Sequence, residues 1–166
     1  MRDIILRAMT TTRVAYVDVY VLRGRGDTLQ ALLLRRAPGQ ARPGSWEAVH
    51  GKIDPGETPV DAARRELREE TGCEALALYN LSRVEQFYHH TSDEIVLVPA
   101  FVAFVANDAV VQLSSEHDTM LWLSVDDARA RCSWPRAARC LEDAVRLFGG
   151  GDAGVLEGVL RTPESP

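Results

Sequence analysis

The sequence predicts an α/β domain built as a mixed β-sheet with helices on its faces. Three observations carry this expectation. The elements run strands, helix, strands, helix, without the regular βαβα alternation of a doubly wound parallel sheet, so parallel and antiparallel pairing must coexist. The stretch from Asp54 to Gly72 carries the start and stop signals of a single helix. The stretch "EIVLVPAFVAFV", Glu94 to Val105, is a long apolar run of strand-forming residues. At 166 residues and 46% apolar composition, the chain has the size of one domain and can bury a core.

Element by element, "RVAYVDVYVLR" (13–23) is rich in β-branched and aromatic residues and reads as a strand. "GRGD" is a turn, and "LQALLLRRA" (29–37) is the second arm of a hairpin. "PGQARPGS" is a loop, after which "WEAVHGKI" returns to strand character. In "DPGE" (54–57), Pro55 presets the second position of a type II turn and Gly56 supplies the positive φ of the third. Thr58 is placed to cap the following helix, with Pro59 at its first position and Asp61 as the capping-box acid. That helix is expected to end at Thr71, stopped by Gly72. Further strands are expected over about 75–89, 94–105 and 119–124. A helix should follow Ser124, and an amphipathic helix should cover 134–148 with Ala138, Leu141, Val145 and Phe148 on its apolar face. These boundaries make residues 1–148 one domain and residues 149–166 a flexible C-terminal tail, in which "VLEGVL" can form a short helical turn.

Bulk properties exclude some functions. A formal net charge of -5 argues against general nucleic-acid binding, which needs a basic surface. It leaves room for a small phosphorylated ligand at a locally positive or metal-filled site. The three cysteines, Cys73, Cys132 and Cys140, match no metal-binding spacing and read as free thiols of a reducing compartment. The chain shows no apolar run of membrane-spanning length and no secretory signal, so the expectation is a cytoplasmic protein without a membrane partner.

The helix over 59–71 raises the sharpest question. On a helix of 3.6 residues per turn, Val60, Ala63, Leu67 and Thr71 form the buried stripe. Glu66, Glu69 and Glu70 then share one flank beside it, where like charges at i,i+4 repel by a few tenths of a kcal/mol even when exposed. Two readings are open at this point. One is a solvated acidic face paired with Arg64, Arg65 and Arg68. The other is a site for a hard divalent cation, Mg²⁺ or Mn²⁺, which takes oxygen ligands and is usually completed by substrate phosphates.

The wider spacing moves the balance. Gly51, five residues, Glu57, seven residues, then Arg65-Glu66-Leu67-x-Glu69-Glu70-x-Gly72-Cys73 resembles the Nudix box, G-x5-E-x7-R-E-U-x-E-E-x-G-U, at every fixed position. Cys73, at the last bulky aliphatic position, is the one soft departure. From average composition, such a match arises on the order of 10⁻⁹ times per start position. The resemblance implies a Nudix-type α/β/α sandwich and a hydrolase that splits a P–O–P bond in a nucleotide-like, small-molecule phosphorylated substrate, using Mg²⁺ or Mn²⁺. By the same pattern, Gly51 (through its carbonyl), Glu66, Glu69 and Glu70 look like the metal ligands. Arg65 orients carboxylates, most simply through Glu57, and Gly72 ends the helix. Glu66, Glu69, Arg65 and Glu116 are the implied catalytic group, Glu116 lying in the loop before a late strand.

The stretches "SWEAVHGKIDPGE" and "RCSWPRAARCLEDA" resemble the dihydroneopterin triphosphate and dATP pyrophosphohydrolase group, whose substrates yield a monophosphate and pyrophosphate. The "EH" and "WL" of "SSEHDTMLWL" resemble both that group and the dinucleoside polyphosphate hydrolases. Substrate-binding candidates are Trp46 for stacking, Arg35 or its neighbour Arg36 for a phosphate, Tyr88 for its polar tip and His50, which stands where many relatives carry glycine. Many members form homodimers, and the C-terminal segment is available to contribute.

Overall fold

The computed structural model describes residues 9–164. It contains eight strands: β1 (Thr11–Val14), β2 (Tyr16–Arg23), β3 (Gln30–Arg36), β4 (Trp46–Glu47), β5 (Val49–Lys52), β6 (Ala77–His89), β7 (Glu94–Phe104) and β8 (His117–Ser124). Four helices accompany them: α1 (Pro59–Thr71), α2 (Val125–Arg131), α3 (Pro135–Phe148) and the short α4 (Glu157–Leu160). All eight strands join one mixed sheet. Parallel β2–β7 and β1–β7 pairs coexist with antiparallel β6–β7, β2–β5 and β3–β8 pairs.

The expected first strand is interrupted at Ala15. Residues 11–14 pair with 94–97 of β7, and β2 continues along the same edge at 100–104. The expected hairpin is also opened. β2 meets β3 only at Leu22↔Ala31 and Arg23↔Gln30, because its first half pairs with β5 instead. β4 pairs with β3, so the 46–52 segment bridges the two splayed strands. That splaying brings the residues just before α1 into the middle of the sheet.

Strand alternation sorts the apolar residues into two layers. Val17, Val19, Val21, Leu32, Leu34, Phe101 and Ala103 face α1, where Ala62, Ala63 and Leu67 pack on them. Tyr20, Leu22, Ala31, Leu33, Ala100 and Val102 face α2 and α3. Helix layers therefore cover both faces, giving an α/β/α sandwich. The buried stripe of α3 is Ala137, Cys140, Leu141, Ala144 and Phe148. This corrects the expected face by part of a turn: Val145 is 41% exposed. Small residues cause the difference, because alanines and a buried free cysteine line the close approach of α3 to the sheet.

The α1 termini follow their local chemistry. Asp54 O accepts from Glu57 N at 3.0 Å, and Gly56 has φ 84°. Thr58 Oγ1 accepts from the Asp61 amide at 3.2 Å. Gly72 closes the helix in the left-handed region, φ 68°, with its amide on Arg68 O. Described residues beyond Phe148 pack on the domain. Leu160 and Thr162 are buried, Thr162 Oγ1 donates to Leu78 O at 2.9 Å, and Arg64 donates to Pro163 O at 2.7 Å. Among the described residues no helix is long and apolar enough to cross a membrane.

Candidate active site

The turn of α1 that follows Ala63 presents its glutamates to the end of β5. Glu66 and Glu70 are 9% and 3% exposed, whereas Glu69 stays at the rim. Gly51 makes this approach feasible for a spatial reason. A Cβ built there would stand 1.7 Å from Glu66 Cδ, so any side chain would occupy the place of the carboxylate.

Arg65 ties the helix to the preceding loop. Its guanidinium donates to both oxygens of Glu57 (2.9 and 2.8 Å), to Glu66 Oε1 (2.8 Å), to Glu69 Oε2 (3.1 Å) and to Lys52 O (2.7 Å). The Arg65 hydrogen bonds hold the Glu57 carboxyl below the usual range, and Glu57 in return holds Arg65 firmly charged. Glu66 goes the other way. Burial raises it beyond what Arg65 lowers it, and the charges of Glu69 and Glu116 add to the rise. Glu70 is raised furthest, first by burial and then by the charges of Glu66, Glu116 and Glu47. Its Oε2 is buried without a hydrogen-bond partner.

A second group faces this one across the sheet. Arg36 Nη1 donates to Glu47 at 3.2 Å and to Glu116 at 3.1 Å. His117 is fully buried between Glu47 (3.6 Å) and Glu70 (3.9 Å), and neither ring nitrogen has a hydrogen-bond partner. Burial pushes the Glu47 carboxyl up, but His117 and Arg36 outweigh this and hold it below its ordinary value. Glu116 itself is half exposed, its side chain at 48%. A cavity of about 540 Å³ opens over the assembly, with Glu66, Glu69, Glu116, His50 and Gly51 on one side and Arg36, Arg42 and Lys52 among its cationic lining.

The substrate-binding candidates divide. His50 lines the cavity, stacked on Tyr16 with ring centroids 5.0 Å apart. Arg35 does not. It pairs with Asp118 at 2.7 Å, while the register shift between Arg35 and Arg36 turns the next arginine to the site. Trp46 packs at the edge of the α2–α3 core with Arg131 and Arg35 over its ring. Tyr88 is 57% exposed and donates its hydroxyl to Asp93, while Phe87 and His89, on the other face of β6, line the cavity. Sequence reading missed Glu47, His117, Tyr16 and Asp18, and it left open which of Arg35 and Arg36 turns inward. The signal available was the unusual acid inside an apolar strand, "YVDVYVL" for Asp18 and the "WEAV" glutamate for Glu47.

The donor set suits a hard divalent cation. It consists of carboxylate oxygens, one of them buried and orphaned, beside a glycine whose missing side chain leaves room for Glu66. Among the described residues no three His, Cys, Asp or Glu side chains enclose a common point. A Mg²⁺ ion ordinarily uses only one or two carboxylates and completes its shell with waters and phosphate oxygens.

The NUDIX domain family model matches residues 12–144. The chain belongs to the Nudix hydrolase family. Among curated relatives, the asymmetrical bis(5'-nucleosyl)-tetraphosphatase of Rattus norvegicus is 33% identical over 103 residues, covering 61% of this chain and 68% of the relative. A protein of Myxococcus xanthus described as an octanoyltransferase is 35% identical over 122 residues, 69% of this chain, and the chain spans only 32% of that relative's length. The Nudix fold itself recurs in the dihydroneopterin triphosphate pyrophosphohydrolase of E. coli, with TM-score 0.65 and 23% identity, over 81% of this chain and 99% of that one. At that identity the likeness concerns architecture.

Proposed function

We propose that this Nudix chain hydrolyses a phosphoanhydride bond in a nucleotide-like polyphosphate with the help of Mg²⁺ or Mn²⁺. The observation that carries the reading is the buried, partnerless Glu70 oxygen beside Glu66 and Gly51, under a cavity that also holds Arg36, Arg42 and Lys52. Gly51 (carbonyl), Glu66, Glu69 and Glu70 would hold the ion. When bound, it supplies charge neutralisation on the phosphates and a more acidic water. The chain's own residues do the rest. Arg65 keeps Glu57, Glu66 and Glu69 in place. Arg36, Arg42 and Lys52 hold phosphate oxygens. Glu116, tethered by Arg36 and half exposed, takes the proton as a water oxygen attacks phosphorus and the bridging P–O bond breaks.

For the substrate we favour a nucleoside triphosphate-like compound such as dihydroneopterin triphosphate or dATP, cleaved to the monophosphate and pyrophosphate. This rests on "SWEAVHGKIDPGE" and "RCSWPRAARCLEDA". A dinucleoside polyphosphate is the second reading, favoured by the 33% identity to the rat tetraphosphatase. The test is product analysis with Mg²⁺ or Mn²⁺ on dihydroneopterin triphosphate, dATP, 8-oxo-dGTP, diadenosine tetraphosphate and ADP-ribose. Pyrophosphate from the first two supports the favoured substrate. Faster cleavage of diadenosine tetraphosphate selects the second. Binding without turnover of any compound refutes the hydrolase.

A further inference from the structure

Asp18 has no part in the chemistry above, and its position is costly. It lies in the middle of β2, flanked by Val17 and Val19, and is 3% exposed. A buried carboxylate is retained only when it is paired and hydrogen-bonded, because desolvation costs several kcal/mol per ion. Asp18 has two partners. Its Oδ1 is 2.6 Å from His50 Nδ1, and its Oδ2 accepts from Arg136 Nε of α3 at 3.3 Å. Burial raises the carboxyl, but His50 and Arg136 outweigh this and hold it below the usual carboxylate range, so it is an acceptor only.

Asp18 and His50 stand directly opposite one another in the β2–β5 ladder. The contact is therefore a cross-strand pair that sets the ring, and not a chance meeting of long side chains. With Nδ1 turned to Asp18, the imidazole lies flat on Tyr16, at an interplanar angle of 16°, and Tyr16 leans in turn on Phe87 at 6.3 Å. All three rings line the cavity. Nδ1 is committed to Asp18, and the ring it orients lines the cavity. His50 also immediately precedes Gly51, and its backbone amide faces Glu70.

We propose that Asp18 is a positioning residue, which fixes the His50 ring so that Nε2 contacts the bound substrate, making the Asp18–His50 pair a determinant of substrate affinity in this site. The inference rests on the polyphosphate reading above. Glu66, Glu70 and Glu116 carry the hydrolysis, while the pair acts on binding.

The test compares the intact chain with Asp18→Ala, Asp18→Asn, His50→Phe and the Asp18→Ala/His50→Phe double variant, with dATP and diadenosine tetraphosphate as the probes. Phenylalanine keeps the stack on Tyr16 and removes both nitrogens. Asparagine keeps an oxygen that accepts from Nδ1. The expected result is a KM raised about tenfold or more by Asp18→Ala and by His50→Phe, with kcat within about threefold of the parent, since an interaction common to ground and transition states appears in KM. The double variant should be no worse than His50→Phe within about twofold, because coupled residues are not additive. Asp18→Asn should recover most of the parent KM. Asp18→Asn also covers the case in which Asp18→Ala, leaving Arg136 unpaired, fails to fold. Independent effects that multiply in the double variant, or a lowered Tm with KM unchanged, overturn the proposal alone. A parent that turns over no polyphosphate overturns the hydrolase reading and this inference with it.

Discussion

Helices α1 and α3 flank the same sheet, one on each face, and bury their inner sides by different rules. The inner side of α3 is apolar throughout: Ala137, Cys140, Leu141, Ala144 and Phe148. Four of its five charged residues are matched by opposite charges on other elements: Arg136 by Asp18, Arg139 by Glu85, Glu142 by Arg129 and Asp143 by Arg83. The inner side of α1 buries Ala62, Ala63, Leu67 and Thr71, but also Glu66 and Glu70. Those two carboxylates face each other's charge and that of Glu116, and Arg65 relieves only Glu66 directly. The contrast separates a helix whose buried side is apolar from one that buries like charges beside each other.

The largest effect that should separate the two is on turnover. Glu70→Gln is expected to lower kcat by about three orders of magnitude or more with the fold retained, measured by product release under saturating Mg²⁺. Near-parental activity would remove Glu70 from the site. On the other helix, Phe148→Ala should cost about 3–5 kcal/mol of stability, read by denaturant unfolding, because it empties a fully buried position. Its kcat below the transition should stay close to the parent's. If Phe148→Ala instead abolishes turnover in the folded protein, the division of labour is wrong.

Gly51→Ala should reduce turnover by about a hundredfold, since the new methyl falls on the Glu66 carboxylate and not on a strained backbone. Glu116→Gln is expected to be milder, about tenfold to a hundredfold in kcat. A variant that matches the parent in rate and pH–rate profile would leave Glu116 a loop acid bound to Arg36.

The two helices also differ in how legible they were. The cap, the stop and the glutamates of α1 are local, so spacing alone located them. The groups gathered around Glu70 and Glu116 are not local. Glu47 comes from β4, Arg36 from the end of β3 and His117 from the start of β8, and the sheet register brings them together. A register shift after Arg35 decides which arginine turns inward, and no sequence period encodes it. For α3 the period was right and its phase was displaced, because Ala137, Cys140 and Ala144 carry little hydrophobic signal yet form the close contact. The interruption at Ala15 and the opened hairpin were hidden for a related reason: β-propensity marks strands but not their neighbours.

The central claim is that α1 carries uncompensated buried charge which a cation relieves, and thermal unfolding of the metal-free parent and of Glu70→Gln tests it most directly. Carboxyls raised in the folded state favour folding fully only below their ordinary value of about 4.5, and that contribution is lost as pH rises through the raised value. Between pH 5 and 8 without metal, the parent should therefore lose stability relative to Glu70→Gln, a gap of about 2–4 °C in Tm for each kcal/mol in a domain of this size. Mg²⁺ at pH 8 should raise the parent's Tm and leave the variant's nearly unchanged. A Glu70→Gln protein less stable than the parent at every pH, with Tm values indifferent to Mg²⁺ and Mn²⁺, would contradict the account.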